Sequence, residues 1–380
     1  MKPQLDQFEL EVGDALEKLE AGWGLPTRWY QDPAVYRFEM EVIFGCEWQY
    51  FAPVEKLSRN GDQVVGLVGE VPVVVTRGVD GSLWGFVNMC RHRGHPVARE
   101  DGNGGVFVCP YHGWTYNLDG TLKRAPQSDA EPGFDPSELS LIPISVDVWG
   151  PAVFVNPKRE APPLRSLHPR FEGTWQTRGL TPDPGAYEFR RRVEYPADCN
   201  WKLWYDNNSE CYHCPRIHGS SFASAYMAEA DGVDHFEIDR MFGYRFDAAE
   251  MTDDPQELRS TNYRSIQLFP GITIIQQDDL MMVSQIIPHG AEHTVSVWDY
   301  FAQRGTEEER FERWFTLWNQ TFTEDLTAVS AQQRGMRTGL MERSRFIKTA
   351  EPQVMAMNRA ILEAYQQGLA HRVSPSRSRP

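Results

Sequence analysis

Cysteine is scarce in this chain, six in 380 residues, which is too few for a disulfide framework. No run approaches the roughly 18 consecutive apolar residues that a membrane-spanning helix needs. The start, with Asp6, Glu9, Glu11 and Asp14 soon after Lys2, lacks the basic and apolar regions of a signal peptide. No glycine-rich dinucleotide fingerprint follows a strand-like run. Basic charge is also short: 38 Lys and Arg stand against 53 Asp and Glu, a net charge of −15. Without a basic face to neutralise phosphates, nucleic acid is not an expected partner. The acidity reads first as solubility. A cytoplasmic protein with no membrane partner is the expectation.

Apolar and aromatic residues are plentiful, 41% and 12% with twelve Trp, enough for the cores of two domains. Phe8, Val12, Leu16 and Leu19 predict a helix from Asp6 to Gly22. A second is predicted over Pro33 to Gly45, with Asp32 as its N-cap. From 47 to 157 the character changes to short valine-rich runs broken by Gly61, Gly69 and Asp80-Gly81, the pattern of an antiparallel β domain. Beyond it, a helix is expected near Asn200 to Cys214. β runs follow at 264–276, 280–287 and 294–301, then helices over 307–334 and 352–367.

Two short patterns stand in loops of the β domain. Cys90-Arg91-His92 and Cys109-Pro110-Tyr111-His112 are separated by sixteen residues. Together they offer two thiolates and two imidazoles. Structural zinc takes such a set, but zinc fingers usually group Cys with Cys and His with His. One Cys and one His per loop fits a Rieske [2Fe–2S] centre, in which Cys holds one iron and His the other. Gly94 and Gly113 are expected to let backbone amides approach the sulfurs. Imidazole ligation puts such a centre at about −150 to +300 mV. A chain this long must hold something else that uses the electron.

The second concentration of donors is Glu210-Cys211-Tyr212-His213-Cys214-Pro215-Arg216-Ile217-His218. Glu210 and His213 share a helix face. His213 and His218 would lie about 140° apart on an ideal helix, and Pro215 is expected to distort the turn and align them. Two His and a distant carboxylate form the facial triad of non-haem Fe(II) oxygenases. Cys211 and Cys214 suggest a redox or zinc reading, but no second Cys pair supports it. Asp325 falls on a stripe of Phe311, Phe315, Trp318, Phe322, Val329 and Gln332, with Glu324 about 100° away. A buried carboxylate there needs a cation or a strong donor, Fe(II) or a buried Arg or His.

These motifs, with Trp29-Tyr30, Trp48-Gln49-Tyr50, Asn200-Trp201-Lys202 and Glu324-Asp325, resemble the oxygenase component (α subunit) of the Rieske non-haem iron oxygenases. The resemblance implies an α+β fold, an antiparallel β Rieske domain inserted before a helix-grip catalytic domain. Its parts are a helical segment over 1–46 packing on the catalytic domain, the Rieske domain over 47–157, the catalytic domain over 158–370 and a disordered tail over 371–380. It implies that Cys90, His92, Cys109 and His112 hold the cluster, and that His213, His218 and Asp325 hold a mononuclear Fe(II). Glu210 matches the acid that bridges an iron-ligand His to the Rieske His of a neighbouring subunit. A homotrimer, a separate reductase or ferredoxin, O2 and a small organic substrate complete the expectation. The Glu-Cys-Tyr-His-Cys version of the motif is similar to that of monooxygenases acting on quaternary amines or small acids. Aromatic ring hydroxylation is the alternative. A non-catalytic Rieske carrier or a zinc-stabilised binding module leaves the second donor set unexplained.

Overall fold

Valine-rich runs form strands because β-branched side chains suit a pleated, half-buried surface. The computed structural model describes residues 2–167, 186–219, 221, 233–238, 241–246 and 263–373. Asp62–Val68 and Val71–Arg77 pair as an antiparallel hairpin with Val68 opposite Val71. Joined by Gln49–Pro53, Leu83–Val87, Gly102–Asn103, Pro143–Trp149 and Ala152–Asn156, they make a seven-stranded sheet. Alternation sorts its side chains: Val73 and Val75 enter one core with Val64, Val153 and Val155, and Val74 enters the other. That second core contains Cys90, Cys109, Phe107, Trp114 and Tyr116. It lies under a three-stranded sheet of Phe107–Val108, Thr115–Tyr116 and Leu122–Arg124. All of these elements fall within a compact unit that includes Phe44–Leu167.

A second unit takes the chain up to Ile43 and again from Arg190 onward. Its helices are α1 (Lys2–Glu20), α2 (Pro33–Glu39), α3 (Trp201–Asn208), α4 (Cys214–Ile217), α5 (Glu308–Met336) and α6 (Pro352–Val373). Another seven-stranded sheet runs in the order 187–197, 294–303, 280–288, 272–277, 263–268, 241–246, 233–238. α5 packs on this sheet through aromatic rings. Trp298 stacks on Phe322 at 4.3 Å, Tyr300 meets Trp314 edge-on at 5.7 Å, and Trp314 and Trp318 both donate to Gln277 Oε1. Arginines on the first strand fix the crossing: Arg190 bonds Glu308 at 2.7 Å, and Arg191 bonds Glu312 at 2.5 Å. Arg192 clasps the fully buried Asp299 at 2.6 and 2.8 Å. A sheet held against one long helix is the α+β helix-grip arrangement. Among the described residues, no helix is long and apolar enough to cross a membrane.

The structure revises four sequence expectations. The helix expected over Asn200–Cys214 is two, α3 and α4, with a non-helical turn between them. The helix expected to reach Gly45 is α-helical only to Glu39 and continues as a π turn over Met40–Phe44. On α5 the buried residues are Phe311, Trp314, Trp318, Thr321, Phe322, Asp325, Val329, Gln333 and Met336. This follows the 3.6-residue turn of a straight helix, not the 3.5-residue stripe, and it leaves Gln332 exposed. Of the expected tail over 371–380, residues through Val373 close α6, and the rest lies outside the described residues.

Asn200-Trp201-Lys202 anchors α3. Asn200 Oδ1 caps the helix on Lys202 N at 3.0 Å, and Asn200 N donates to Gln333 Oε1 on α5 at 2.9 Å. Lys202 Nζ meets Glu39 Oε1 at 2.5 Å with both side chains fully buried. Trp201 Nε1 at 2.8 Å and the Tyr365 hydroxyl also donate to Glu39. Removing one partner of a buried pair strands the other charge, at about 3–5 kcal/mol. Lys202→Met should therefore destabilise the chain by that amount in urea unfolding, and Lys202→Met with Glu39→Gln by clearly less. A loss below about 1 kcal/mol for Lys202→Met alone would show that Glu39 does not depend on it.

Candidate metal centres

The two loops of the β unit have the same backbone. Cys90 N donates to His95 O and Cys109 N to Trp114 O, each at 2.8 Å; Gly94 N returns to Cys90 O and Gly113 N to Cys109 O, each at 2.9 Å. Each turn closes on a glycine in the left-handed region, φ +79° and +73°, where a Cβ is strained. Space is not the reason: a Cβ would meet nothing closer than 3.9 Å at Gly94 and 3.6 Å at Gly113. What the structure shows of these glycines is turn geometry: each closes its loop in the left-handed region.

Cys90 and Cys109 are buried, at 1% and 2% exposure. His92 and His112 are exposed and face each other Nδ1 to Nδ1 at 3.1 Å. A sulfur end inside and a nitrogen end outside is a donor set that fits a two-iron cluster. His92 is braced by stacking on Trp114 at 5.0 Å. The Tyr116 hydroxyl accepts from Arg91 N at 3.0 Å and lies 3.3 Å from Cys90 Sγ. Either group can donate in that contact; toward a metal-bound thiolate, the hydroxyl would be the donor. Burial, reinforced by the Cys90 contact, raises the hydroxyl's pKa and keeps its proton in place.

In the other unit, the break between α3 and α4 creates the second site. α3 closes with Ser209 Oγ on Tyr205 O at 2.7 Å, and Gln267 Nε2 takes the freed Asn208 carbonyl at 2.6 Å. Pro215 does not kink a helix. It lies in the first turn of α4, where a missing N–H costs nothing. The non-helical turn lets Glu210 fold onto His213, accepting from its backbone N at 3.0 Å and meeting Nδ1 at 2.5 Å. His213 Nε2 and His218 Nε2 then converge at 3.2 Å. Asp325 Oδ1, from α5, lies 3.4 Å from the first and 3.1 Å from the second. Donors about 2.1 Å from one metal ion, at right angles, stand about 3.0 Å apart. The three atoms fit one cation.

Electrostatics supports the same fit. Burial works against a charged His213, yet Asp325 and Glu210 outweigh it and raise its pKa to about 10. His218 is raised despite burial, through Asp325 and Glu324. Burial would lift Asp325, but hydrogen bonds from both imidazoles hold it below the usual carboxylate range. The site draws in positive charge, which a divalent ion supplies. Asn207 Nδ2 donates to Asp325 Oδ1 at 3.2 Å, while its buried Oδ1 has no partner among the described residues. The thiol of Cys214 is 3.9 Å from His213 Nε2.

Sequence reasoning missed Glu324. Although it leaves the helix away from the buried stripe, its Oε2 reaches His218 Nδ1 at 2.8 Å. Ser221 Oγ donates to the same oxygen at 2.6 Å, and Gln320 Nε2 to Oε1 at 2.9 Å. Each imidazole thus has a carboxylate on Nδ1, an arrangement that fixes the tautomer with Nε2 free to bind metal. The signal was the Glu324-Asp325 pair itself, one carboxylate for each side of the same ring.

Residues 47–144 match the family profile described as "Rieske [2Fe-2S] domain", and residues 184–367 the profile described as "Ring hydroxylating alpha subunit (catalytic domain)". The chain is similar to the chloroplastic choline monooxygenase of Beta vulgaris, 28% identical over 86% of this chain and 73% of that protein. It is 27% identical to the carnitine monooxygenase oxygenase subunit of Acinetobacter baumannii, over 84% of this chain and 86% of that one. The crystal structure of a quaternary ammonium Rieske monooxygenase is similar with a TM-score of 0.81 at 26% identity, covering 90% of this chain and 96% of that one.

Two outcomes follow from this geometry. Glu324→Gln keeps the fold but weakens Fe(II) or Co(II) binding about 10- to 100-fold, measured by equilibrium dialysis at the mononuclear site; unchanged affinity would remove Glu324 from the site. Tyr116→Phe removes a hydrogen bond to a candidate cluster sulfur, so the midpoint potential should fall, as followed by a redox titration of the visible circular dichroism. A potential that stays put or rises would contradict that bond.

Proposed function

The chain belongs to the Rieske non-haem iron oxygenases, and we propose that within this family it is the terminal oxygenase for a small quaternary amine. The similarity across most of the chain to choline and carnitine monooxygenases carries this reading. In the reaction, one atom of O2 enters a C–H bond of the substrate and the other leaves as water. Two electrons from NAD(P)H reach the chain through a separate reductase or ferredoxin. The cytoplasm is the compartment we assign.

In this proposal Cys90, His92, Cys109 and His112 hold the [2Fe–2S] cluster, and His213, His218 and Asp325 hold Fe(II). Bound there, the two groups supply single electrons and O2 chemistry. The residues around them do the positioning. Glu210 and Glu324 hold the two imidazoles so that both Nε2 atoms converge with Asp325 Oδ1 on one point, where they would ligate the metal. Three protein donors on one face leave the opposite face for substrate and O2. Glu210, still partly open to solvent at 12% exposure, would link His213 to His112 of a neighbouring copy in a homotrimer.

Reconstitution with a surrogate reductase tests the proposal. Choline, carnitine or glycine betaine should stimulate NADH and O2 consumption and yield an oxidised product. Stimulation by aromatic acids alone would overturn the substrate class. Metal analysis should find about three irons per chain, two from the cluster and one mononuclear. Glu210→Gln should keep both centres and lose most turnover; near wild-type turnover would end its bridging role.

A further inference from the structure

Cys211 and Cys214 are left unused by this mechanism, yet they lie beside the mononuclear site. Both are buried, at 6% and 4% exposure. Cys214 is the first residue of α4, between the two histidines in sequence. One donor atom each from His213, Cys214 and His218 lies within 4.8 Å of the other two, and Sγ is 3.9 Å from His213 Nε2. The imidazole edge, 3.2 Å from Nε2 to Nε2, therefore has two third donors within reach: the oxygen of Asp325 and the sulfur of Cys214.

We infer that the His213–His218 edge is shared by two alternative metal sites, His2Asp for Fe(II) and His2Cys for a thiophilic divalent cation such as Zn(II). This rests on the reading of His213, His218 and Asp325 as a metal triad. The chemistry of the donors separates the two ions. Carboxylate oxygen suits the harder Fe(II), whereas zinc accepts thiolate and imidazole in tetrahedral sites with three protein ligands. With Zn–N about 2.0 Å and Zn–S about 2.3 Å, tetrahedral nitrogen and sulfur stand about 3.5 Å apart. A side-chain rotation that moves Sγ by about an ångström closes the present gap. Binding exchanges the thiol proton for the metal, so the ligand is Cys214 thiolate and one proton is released. Zinc has no redox chemistry, so the His2Cys form is catalytically silent, and Cys214 sets how readily zinc displaces iron.

The test uses the cluster-loaded full chain with its mononuclear site emptied by a chelator and refilled with one equivalent of Zn(II). X-ray absorption at the zinc edge should show one sulfur at about 2.3 Å beside nitrogen and oxygen. The iron cluster does not contribute to that edge. Cys214→Ser should remove the sulfur and weaken Zn(II) about tenfold or more while leaving Fe(II) within about twofold. Asp325→Asn should do the reverse, losing Fe(II) affinity and keeping the zinc–sulfur distance. If Cys214→Ser does not fold, Cys214→Ala and the wild-type spectrum decide the same question. A wild-type spectrum with only nitrogen and oxygen overturns the inference, as does a sulfur that survives in Cys214→Ser. Zinc binding that is indifferent to His213→Ala would overturn the metal triad itself, a different failure from the loss of sulfur alone.

Discussion

Every carboxylate buried in the catalytic unit must be met by positive charge, hydrogen bonds or a proton, and the unit is arranged around how each one is met. Glu39 is fully buried and meets Lys202, Trp201 and Tyr365. That contact ties α2, α3 and α6 together. Asp206, one turn beyond Lys202, has the Asn358 amide at 2.9 Å as its strongest partner, and burial pushes its pKa up to about 7. Asp325 is buried too, yet two imidazoles hold it low. Three acids at similar depth have three outcomes, decided by their partners. Only the third has partners that can share a metal ion.

The position of that third acid depends on the ends of helices more than on the helices themselves. α3 must stop at Asn208 for Glu210 to turn back on His213. α4 must begin at Cys214 for His218 to arrive from the other side. α5 then brings Asp325 between the two rings and Glu324 behind the second. The aromatic packing of Trp298, Phe322, Trp314 and Trp318 fixes how α5 lies on the sheet. A rotation of α5 by one residue would carry Asp325 about 100° off the site.

The cluster loops show the same economy on a smaller scale. One turn, with a Cys at its head and a left-handed glycine at its close, is used twice. The sulfurs are sunk in a core with Phe107, Trp114 and Tyr116, while the imidazoles stay at the surface where an electron can reach them. Tyr116 is the polar exception in that core, and its hydroxyl is spent on a sulfur and a backbone amide.

The chemistry of this chain was determined by its sequence: Cys and His types at fixed spacing name the donors, because a soft sulfur and an imidazole are chosen for what they can bind. Valine alternation named the β unit for a similarly local reason. Asp325 was legible because its side chain had to be buried on a helical stripe, although the stripe's true period shifted Phe315 and Gln332 off it. Glu324 was visible only as the neighbour of Asp325; that its long side chain reaches around the helix to His218 is revealed by the packing. The break after Asn208 was not legible, since Pro215, which the sequence pattern treated as a kink, lies in the first turn of a new helix that begins at Cys214. Cys214 was visible as a residue type but not as a neighbour of the triad. Composition and spacing decide which atoms are available; which of them face one another, at 3.1 to 3.4 Å, is decided only when separate helices pack.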